Sequence, residues 1–333
     1  MNNTGIILTL AYPETVVKVS EEWFSPYLRF LGIGKKDYLR AGHAALVLID
    51  PETGELHYHD FGRYITPEPS GRVRGKHTDH ELHFPVHAQL TNGKLENLPF
   101  LLRFLATQPQ LTHGEGTLYA SVCDRVDYQK AKAYITAMQD RHFIRYAAFI
   151  KDACNCARFV TDTLIASVTD MEIKKRLIKS KRFTPSTVGN VVLANTGNQV
   201  YQVSPTGEIG TFTTSVWQLN RRFFLDRLEE HRPTPEGTLL PKPVATVHAH
   251  AQWLSGIAAG AWFELHTTSY EKVYRFRRIS PYGNVDVDAH YELVTEGFNV
   301  RLAYRFVHYS NCAFFHVEQQ ERVYKFTYKA PVN

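Results

Sequence analysis

Alternating apolar and polar stretches divide the first half of the chain into short strands and helices. Residues 6–11 and 43–49 are largely apolar runs, a pattern typical of strands buried on both faces. A turn with Pro and Gly at residues 50–54 joins the second run to an alternating stretch at 55–61, which predicts a β-hairpin. Residues 66–90 are polar and contain Pro and His, so we expect an irregular excursion there. Helical spacing predicts four helices, at residues 21–31, 97–107, 128–140 and from Cys156 onward.

The second half of the chain has a different pattern. Short alternating runs separated by turns predict six strands, at residues 261–266, 273–279, 285–293, 298–307, 312–318 and 322–328. A connector precedes them, marked by four prolines: Pro233, Pro235, Pro241 and Pro243. We therefore expect an α+β protein with two domains, residues 1–230 and a mainly antiparallel β domain at residues 245–333.

Composition narrows the class of protein. The 333 residues include 44% hydrophobic and 21% charged residues, which is ordinary for a globular chain. A net charge of +5 is too mild to indicate nucleic-acid binding by itself. Apolar runs fall short of the roughly 20 residues of a membrane helix, and the N-terminal stretch has no basic region typical of a secretory signal. Four cysteines are too few for a disulfide framework, so we expect a reduced, cytoplasmic setting.

One cysteine stands where its thiol could be activated. Cys156 begins a predicted helix, and Asn155 is placed to cap that helix. A helix N-terminus and a neighbouring histidine both favour the thiolate, which is the nucleophilic form of cysteine. Cys154 is the rival nucleophile, but it lies before the cap, away from the helix dipole. His43, at the start of the first hairpin strand, is the candidate base.

Hairpin geometry nominates a third group. If Asp50 pairs with Glu55 across the turn, then Ala45 lies opposite Asp60. Directly opposed side chains share one face of a sheet, and alternation places His43 on the face of Ala45. Asp60 is therefore predicted to orient the imidazole of His43.

These residues resemble a known family. The runs Gly42-His43-Ala44-Ala45-Leu46-Val47 and Asn155-Cys156-Ala157-Arg158-Phe159-Val160 are similar to those of circularly permuted papain-like cysteine hydrolases. That group includes permuted NlpC-type peptidases, YiiX-like proteins and lecithin retinol acyltransferase-like proteins. The resemblance covers roughly residues 5–170 and implies an antiparallel sheet with helices. Two features depart from the family pattern. Asp60 stands at the third position of the site, where the family often has histidine or glutamate, and the interval between His43 and Cys156 is longer than is usual in the family.

The resemblance implies a bacterial cysteine hydrolase, either an amidase or a thiol peptidase. Cys156 would attack a peptide amide, such as that of a cell-wall fragment, and form a thioester, with His43 as base and Asp60 orienting it. Two alternatives stay open: a lipid or acyl-chain acyltransferase on the same site, and a non-enzymatic binding protein with a vestigial thiol. The expected partner is a peptide or acyl substrate, with no cofactor, metal, nucleic acid or membrane; the oligomeric state stays open.

Other polar groups have two interpretations each. Arg63, Arg72 and Arg74 either cover the surface or bind a substrate carboxylate, which suits the forked guanidinium. Clustered histidines could bind a metal, although solvated or structural roles are commoner. The same choice between a ligand site and a plain surface or turn applies to further segments: His77, His80, His83 and His87; His248 and His250; Gly114-Glu115-Gly116; the basic run 174–182; and the alternating basic and aromatic residues of 275–329.

Overall fold

A computed structural model describes residues 4–332 of the chain except 21, 36, 198, 232–245 and 258. The predicted proline connector lies outside the described residues. The chain divides into two compact units, and each unit contains more than one segment. The first unit consists of Met1–Gly62, Gly71–Gly75 and Leu82–Pro233, and the second of Arg63–Ser70, Lys76–Glu81 and Thr234–Asn333. The architecture is α+β, as predicted.

The first unit is built on a nine-stranded sheet. Its strands are β1 (Gly5–Tyr12), β4 (His43–Ile49), β5 (Glu55–Gly62), β6 (Ser70–Arg74), β7 (His83–His87), β10 (Leu118–Val126), β11 (Ile144–Arg145), β12 (Tyr201–Val203) and β13 (Ile209–Thr211). The order is β11-β6-β5-β4-β1-β10-β12-β13, and β7 also pairs with β5. Two short pairs complete the strands of this unit: β2 (Val16–Lys18) with β3 (Tyr38–Arg40), and β8 (Leu90–Thr91) with β9 (Lys94–Leu95).

Helices cover both faces of this sheet. They are α1 (Ser25–Phe30), α2 (Leu98–Ala106), α3 (Pro109–Thr112), α4 (Tyr128–Asp140), α5 (Cys156–Ser167), α6 (Met171–Ser180), α7 (Thr187–Ala194) and α8 (Val216–Phe224), with a 3₁₀ turn at His80–Leu82. On one face Leu46 packs with Phe159 and its neighbours on α5. On the other face Val47 packs with Leu101 and its neighbours on α2. Strand β4 is therefore buried on both sides, which explains its continuous apolar sequence.

Local sequence signals fix the start of α5. Asn155 has an extended backbone, and its side-chain Oδ1 accepts a hydrogen bond of 2.9 Å from the N–H of Arg158. The Nδ2 of Asn155 donates to the carbonyl of Ala147 at 3.3 Å. The predicted N-cap is confirmed, and Cys156 is the first residue of the helix.

Two segments differ from the sequence-based prediction. The prediction of an irregular excursion at residues 66–90 was wrong, because β6 and β7 both join the sheet there. Strand β6 carries two buried arginines, and buried charged residues give no apolar alternation that would reveal a strand. The strand predicted at residues 298–307 is formed only at Arg305–Val307. Phe298 lies outside any strand, and its side chain is nevertheless buried in the core. Its apolar character therefore did not indicate a strand.

The second unit contains a seven-stranded sheet whose pairings are antiparallel. Its order is β14-β15-β16-β17-β20-β19-β18, with bounds β14 (Gln252–Leu254), β15 (Ala261–Thr267), β16 (Val273–Ile279), β17 (Val285–Leu293), β18 (Arg305–Val307), β19 (Phe314–Gln319) and β20 (Arg322–Pro331). Gln252 on the first edge strand accepts from the N–H of Phe306 at 2.9 Å and donates to the carbonyl of Tyr304 at 3.0 Å. The two edges therefore meet, and the sheet is nearly a closed barrel.

Candidate active site

The two hairpin strands bring His43 and Asp60 together. Ala45 pairs with Asp60 across β4 and β5, as the turn length predicted. His43 Nε2 lies 2.9 Å from Asp60 Oδ2, and both side chains are buried. Because Asp60 occupies Nε2, the other ring nitrogen, Nδ1, is left for a nucleophile. The carboxylate therefore fixes both the orientation and the tautomer of the imidazole.

Two more side chains hold Asp60. Arg74 donates from Nε to Oδ1 at 2.9 Å and from Nη2 to Oδ2 at 2.7 Å. The hydroxyl of Tyr58 lies 3.1 Å from Oδ2 and 3.0 Å from the carbonyl of Thr112. Burial alone would raise the pKa of Asp60, but the charge of Arg74 and the hydrogen bonds from His43 and Arg74 outweigh it and hold that pKa far below its usual range. Asp60 is therefore a fixed negative charge beside His43.

Cys156 meets His43 at one end of the sheet. The thiol of Cys156 lies close enough to the imidazole to raise the pKa of His43. Helix α5 packs on the face of Ala44 and Leu46, whereas His43 belongs to the opposite face with Ala45. Each of the two groups is the first residue of its element, His43 of β4 and Cys156 of α5.

The surroundings of His43 favour its charged form. Burial would lower the pKa of His43, but the hydrogen bond with Asp60, the neighbouring Cys156 thiol and the charge of Asp60 raise it to about 9. At neutral pH the imidazole therefore carries a proton next to the thiol. A neighbouring imidazolium and a helix N-terminus are the two conditions that favour a cysteine thiolate.

The other three cysteines lack this environment. Burial raises the pKa values of Cys123, Cys154 and Cys312 to about 12. The thiol of Cys154 points to the carbonyl of Asn155, with an Sγ–O distance of 3.5 Å, and it precedes the helix cap. Cys156 is thus the cysteine that the fold presents to a base.

A glycine makes the approach of His43 to the site possible. Gly42 has a φ of +77°, and a Cβ there would lie 2.9 Å from Cα of Pro13 and 3.1 Å from the carbonyl oxygen of Tyr12. Tyr12 itself pairs with His43 across β1 and β4. The tight passage of the chain at Gly42 therefore sets where β4 begins and where its first side chain lies.

The loop before Cys156 is fixed by two charged side chains. The carboxylate of Glu22 accepts hydrogen bonds from the N–H groups of Ala148 and Phe149 at 2.7 and 2.8 Å. Arg158, in the first turn of α5, donates to the carbonyl of Ala153 at 2.7 Å. The backbone that enters α5 is thereby held in one conformation.

An aromatic patch lies beside this loop. It consists of Trp23, Phe24, Phe149 and Phe183, and the ring of Phe149 lies 5.1 Å from that of Phe24 and 4.9 Å from that of Phe183. Trp23 and Phe183 are exposed. The patch offers apolar surface close in sequence to Cys156.

The three arginines predicted to bind a substrate carboxylate are all buried. Arg74 faces Asp60 as described, and its strand neighbour Arg72 pairs with Gly62 across β5 and β6. Arg63 belongs to the second unit. A substrate-binding role for these residues stays a prediction.

Among the described residues, neither group of possible metal ligands includes His77, His80, His83 or His87. Gly114 packs against the ring of Tyr12, because a Cβ there would lie 2.2 Å from it. The basic run at 174–182 covers the end of α6 and the residues that follow it. No helix of the described part of the chain is long and apolar enough to cross a membrane.

Sequence reasoning missed Tyr58 and the pairing of Arg74 with Asp60. Tyr58 could have been found, because it lies two residues before Asp60 on the same strand face. Arg74 lies directly opposite Asp60 on β6, but the segment that contains it was expected to be irregular.

Comparisons with known proteins identify the family. A family model described as type VI secretion system effector TseH-like matches residues 7–173, half of the chain. A second model, the DUF6695 C-terminal domain, matches residues 251–329. No curated protein matches. Among solved structures, the chain is similar to the crystal structure of the type VI secretion system effector TseH, with 17% identity and a TM-score of 0.42, over 64% of this chain and 100% of that one. His43, Asp60 and Cys156 all lie inside the first match, and the chain belongs to the TseH-like family of type VI secretion system effectors.

Proposed function

We propose that this effector is a cysteine-dependent hydrolase, an amidase or peptidase, with a permuted papain-like catalytic unit. The observation that carries the proposal is the chain of contacts from Cys156 to His43 to Asp60, with the thiol at the N-terminus of α5. A nucleophile, a base and a group that orients the base are the three parts of a thiol-hydrolase site.

The proposed reaction proceeds through a thioester. His43 holds the thiol proton, and the Cys156 sulfur attacks the carbonyl carbon of an amide. The backbone N–H groups in the first turn of α5 stabilise the oxyanion. His43 then passes its proton to the leaving amine. A water molecule, deprotonated by His43, attacks the thioester and releases the carboxylate product and the free thiol.

Asp60 and Arg74 act through His43. Asp60 holds Nε2 of His43 and keeps the imidazolium stable while the proton is on the ring. Arg74 and Tyr58 hold the Asp60 carboxylate in place. We therefore assign Arg74 to positioning Asp60, because its Nε and Nη2 both donate to that carboxylate.

Peptide amides of the bacterial cell wall are the proposed substrate class. Membership of an effector family of a secretion system supports a site of action outside the cell that makes the protein. This proposal replaces the cytoplasmic setting expected from the sequence. A cell-wall peptide would be the substrate in the recipient cell.

An acyl-chain acyltransferase is a second candidate. The aromatic patch beside the loop that leads to Cys156 favours it, because an apolar acyl group could pack on exposed Trp23 and Phe183. A non-enzymatic binding protein is less well supported. A vestigial site would have no reason to retain the contact between Cys156 and His43.

Digestion of purified peptidoglycan and of its soluble peptides tests the proposal, with products read by mass spectrometry. The native chain and Cys154→Ala should release peptide fragments, whereas Cys156→Ala should release none. A thioester on Cys156 formed only with lipid donors would favour the acyltransferase. Equal product from native chain and Cys156→Ala would contradict both.

A further inference from the structure

The β-rich unit carries three histidines that the proposed reaction does not use. The histidine cluster consists of His248, His250 and His266. Its ring centroids lie 5.6 Å apart for His248 and His250, 5.0 Å for His248 and His266, and 4.9 Å for His250 and His266. Imidazoles bound to one tetrahedral ion have centroids roughly 5 Å apart, because each Zn–N bond is about 2.0 Å long. The three rings are therefore close enough together to share one ion.

Turn and strand geometry bring the rings together. A turn closed by the hydrogen bond from Ala251 N–H to the carbonyl of His248, at 3.0 Å, carries His248 and His250. His266 lies on β15, two residues after Glu264, and alternation places these two side chains on one face. Residues far apart in sequence thus converge on one point.

A buried carboxylate supports the cluster. Glu264 is fully buried, and its Oε1 accepts a hydrogen bond from the backbone N–H of His248 at 2.8 Å. Its Oε2 lies 3.1 Å from Nε2 of His266. A carboxylate that holds one nitrogen of a histidine and leaves the other for a metal is the usual support for a metal ligand.

Charges around the cluster are balanced. Arg277 donates to Oε2 of Glu264 at 2.7 Å, and Arg275 forms a two-point pair with Asp288 at 2.6 Å. Two cations thus face two carboxylates.

We propose that His248, His250 and His266 bind a divalent transition-metal ion of the Zn²⁺ class, with Glu264 holding His266. Imidazole nitrogen suits this class of ion, and three protein ligands leave a fourth position for water. Within the described residues the ligand atoms of His248, Glu264 and His266 all lie within 4.8 Å of one another, whereas His250 is outside that group and would join from the exposed turn when the ion binds.

The second group has its own cation. Asp79, Glu81 and Cys312 surround the guanidinium of Arg278, which lies 3.0 Å from Asp79 Oδ1 and 2.9 Å from the sulfur of Cys312. An arginine therefore takes the place that an ion would take. At the histidine cluster the arginine is Arg277, and it contacts the carboxylate of Glu264, at 2.7 Å, rather than lying between the imidazoles.

Calorimetric titration of the untagged, chelator-treated full chain with ZnCl₂ tests the proposal. We expect one ion per chain. His248→Ala/His250→Ala should weaken binding at least about tenfold, because it removes two ligands from an exposed turn. His83→Ala/His87→Ala, two exposed histidines of β7, should bind like the native chain, as should Cys156→Ala, which separates this site from the thiol. Absence of saturable binding, or equal affinity in the His248→Ala/His250→Ala variant, would overturn the proposal.

Cobalt(II) gives a second readout on the unchanged chain. A tetrahedral site of three imidazoles and water should produce strong visible bands without a thiolate charge-transfer band. If the chain showed no more than the weak absorption of six-coordinate cobalt, the site would be contradicted. This readout does not depend on whether the double variant folds.

Discussion

Asp60 and Arg74 lie directly opposite each other on β5 and β6 and form a two-point ion pair, with N–O distances of 2.9 and 2.7 Å. Both side chains are almost completely shielded from solvent. The pair joins Asp60 to strand β6. The Oδ2 atom of Asp60 that Arg74 contacts also contacts His43. The stability of the sheet and the orientation of the base therefore depend on one carboxylate.

Removal of Arg74 should destabilise the protein strongly. Arg74→Met leaves a buried carboxylate without its cation, which we expect to lower the free energy of unfolding by about 3–5 kcal/mol. The matched control is Arg125→Met, which breaks an exposed pair with Asp170 and should cost less than about 1 kcal/mol. Urea unfolding followed by circular dichroism measures both. Equal, small losses would mean that Asp60 does not depend on Arg74.

Asp60→Asn should change the pH dependence of the thiol. Without the negative charge, burial lowers the pKa of His43, so the imidazolium at neutral pH is lost. We expect the rate of Cys156 alkylation at pH 7 to fall at least about tenfold. The pH profile of alkylation in folded variant protein provides the measurement. A profile identical to that of the native chain would exclude the proposed role of Asp60.

Stability should also depend on the charge of His43. The pKa of His43 is raised from 6.5 to about 9, so the folded state binds this proton more tightly than the unfolded state. The stabilisation of the folded state by the protonated His43 is present in full below pH 6.5 and is lost as the pH rises through 9. The stability difference between native chain and His43→Gln should therefore shrink by up to about 3 kcal/mol from pH 6 to pH 10. Urea titrations across this range measure it, and exposed His83→Gln, the control, should show no such trend.

Gly42→Ala should displace His43. Gly42 and Gly93 both have positive φ, at +77° and +74°, but they differ in the space around them. An added Cβ would lie 2.9 Å from the Pro13 backbone at Gly42, whereas at Gly93 it would meet nothing within 4 Å. Gly93→Ala should therefore cost about 1 kcal/mol for the backbone conformation alone. Gly42→Ala should cost more and should also lower peptide hydrolysis. If both variants kept full activity and equal stability, the close passage at Gly42 would have no role in placing the base.

Short-range features of the site followed from the sequence. The turn between β4 and β5 is short, so its length alone fixed the register that places Ala45 opposite Asp60. The cap at Asn155 is likewise a local signal, and it located Cys156 at the start of α5. Short-range interactions can be predicted from sequence because few backbone conformations satisfy the hydrogen bonds of a short turn or a helix cap.

Long-range features did not follow from the sequence. Arg74 is buried because Asp60 neutralises it, and a sequence pattern cannot show which charges will be paired. The convergence of His266 with His248 depends on how β15 faces a turn that precedes it by many residues. Both arrangements arise from sheet topology rather than from local propensity.

The most direct test of the central claim is the rate of iodoacetamide alkylation of each cysteine between pH 5 and pH 10, in native chain and His43→Ala. We predict fast reaction of Cys156 at pH 6–7 that is lost in the variant, with Cys123, Cys154 and Cys312 slow throughout. If Cys156 is inert, or reacts like an ordinary thiol whether or not His43 is present, the thiol-hydrolase proposal is contradicted.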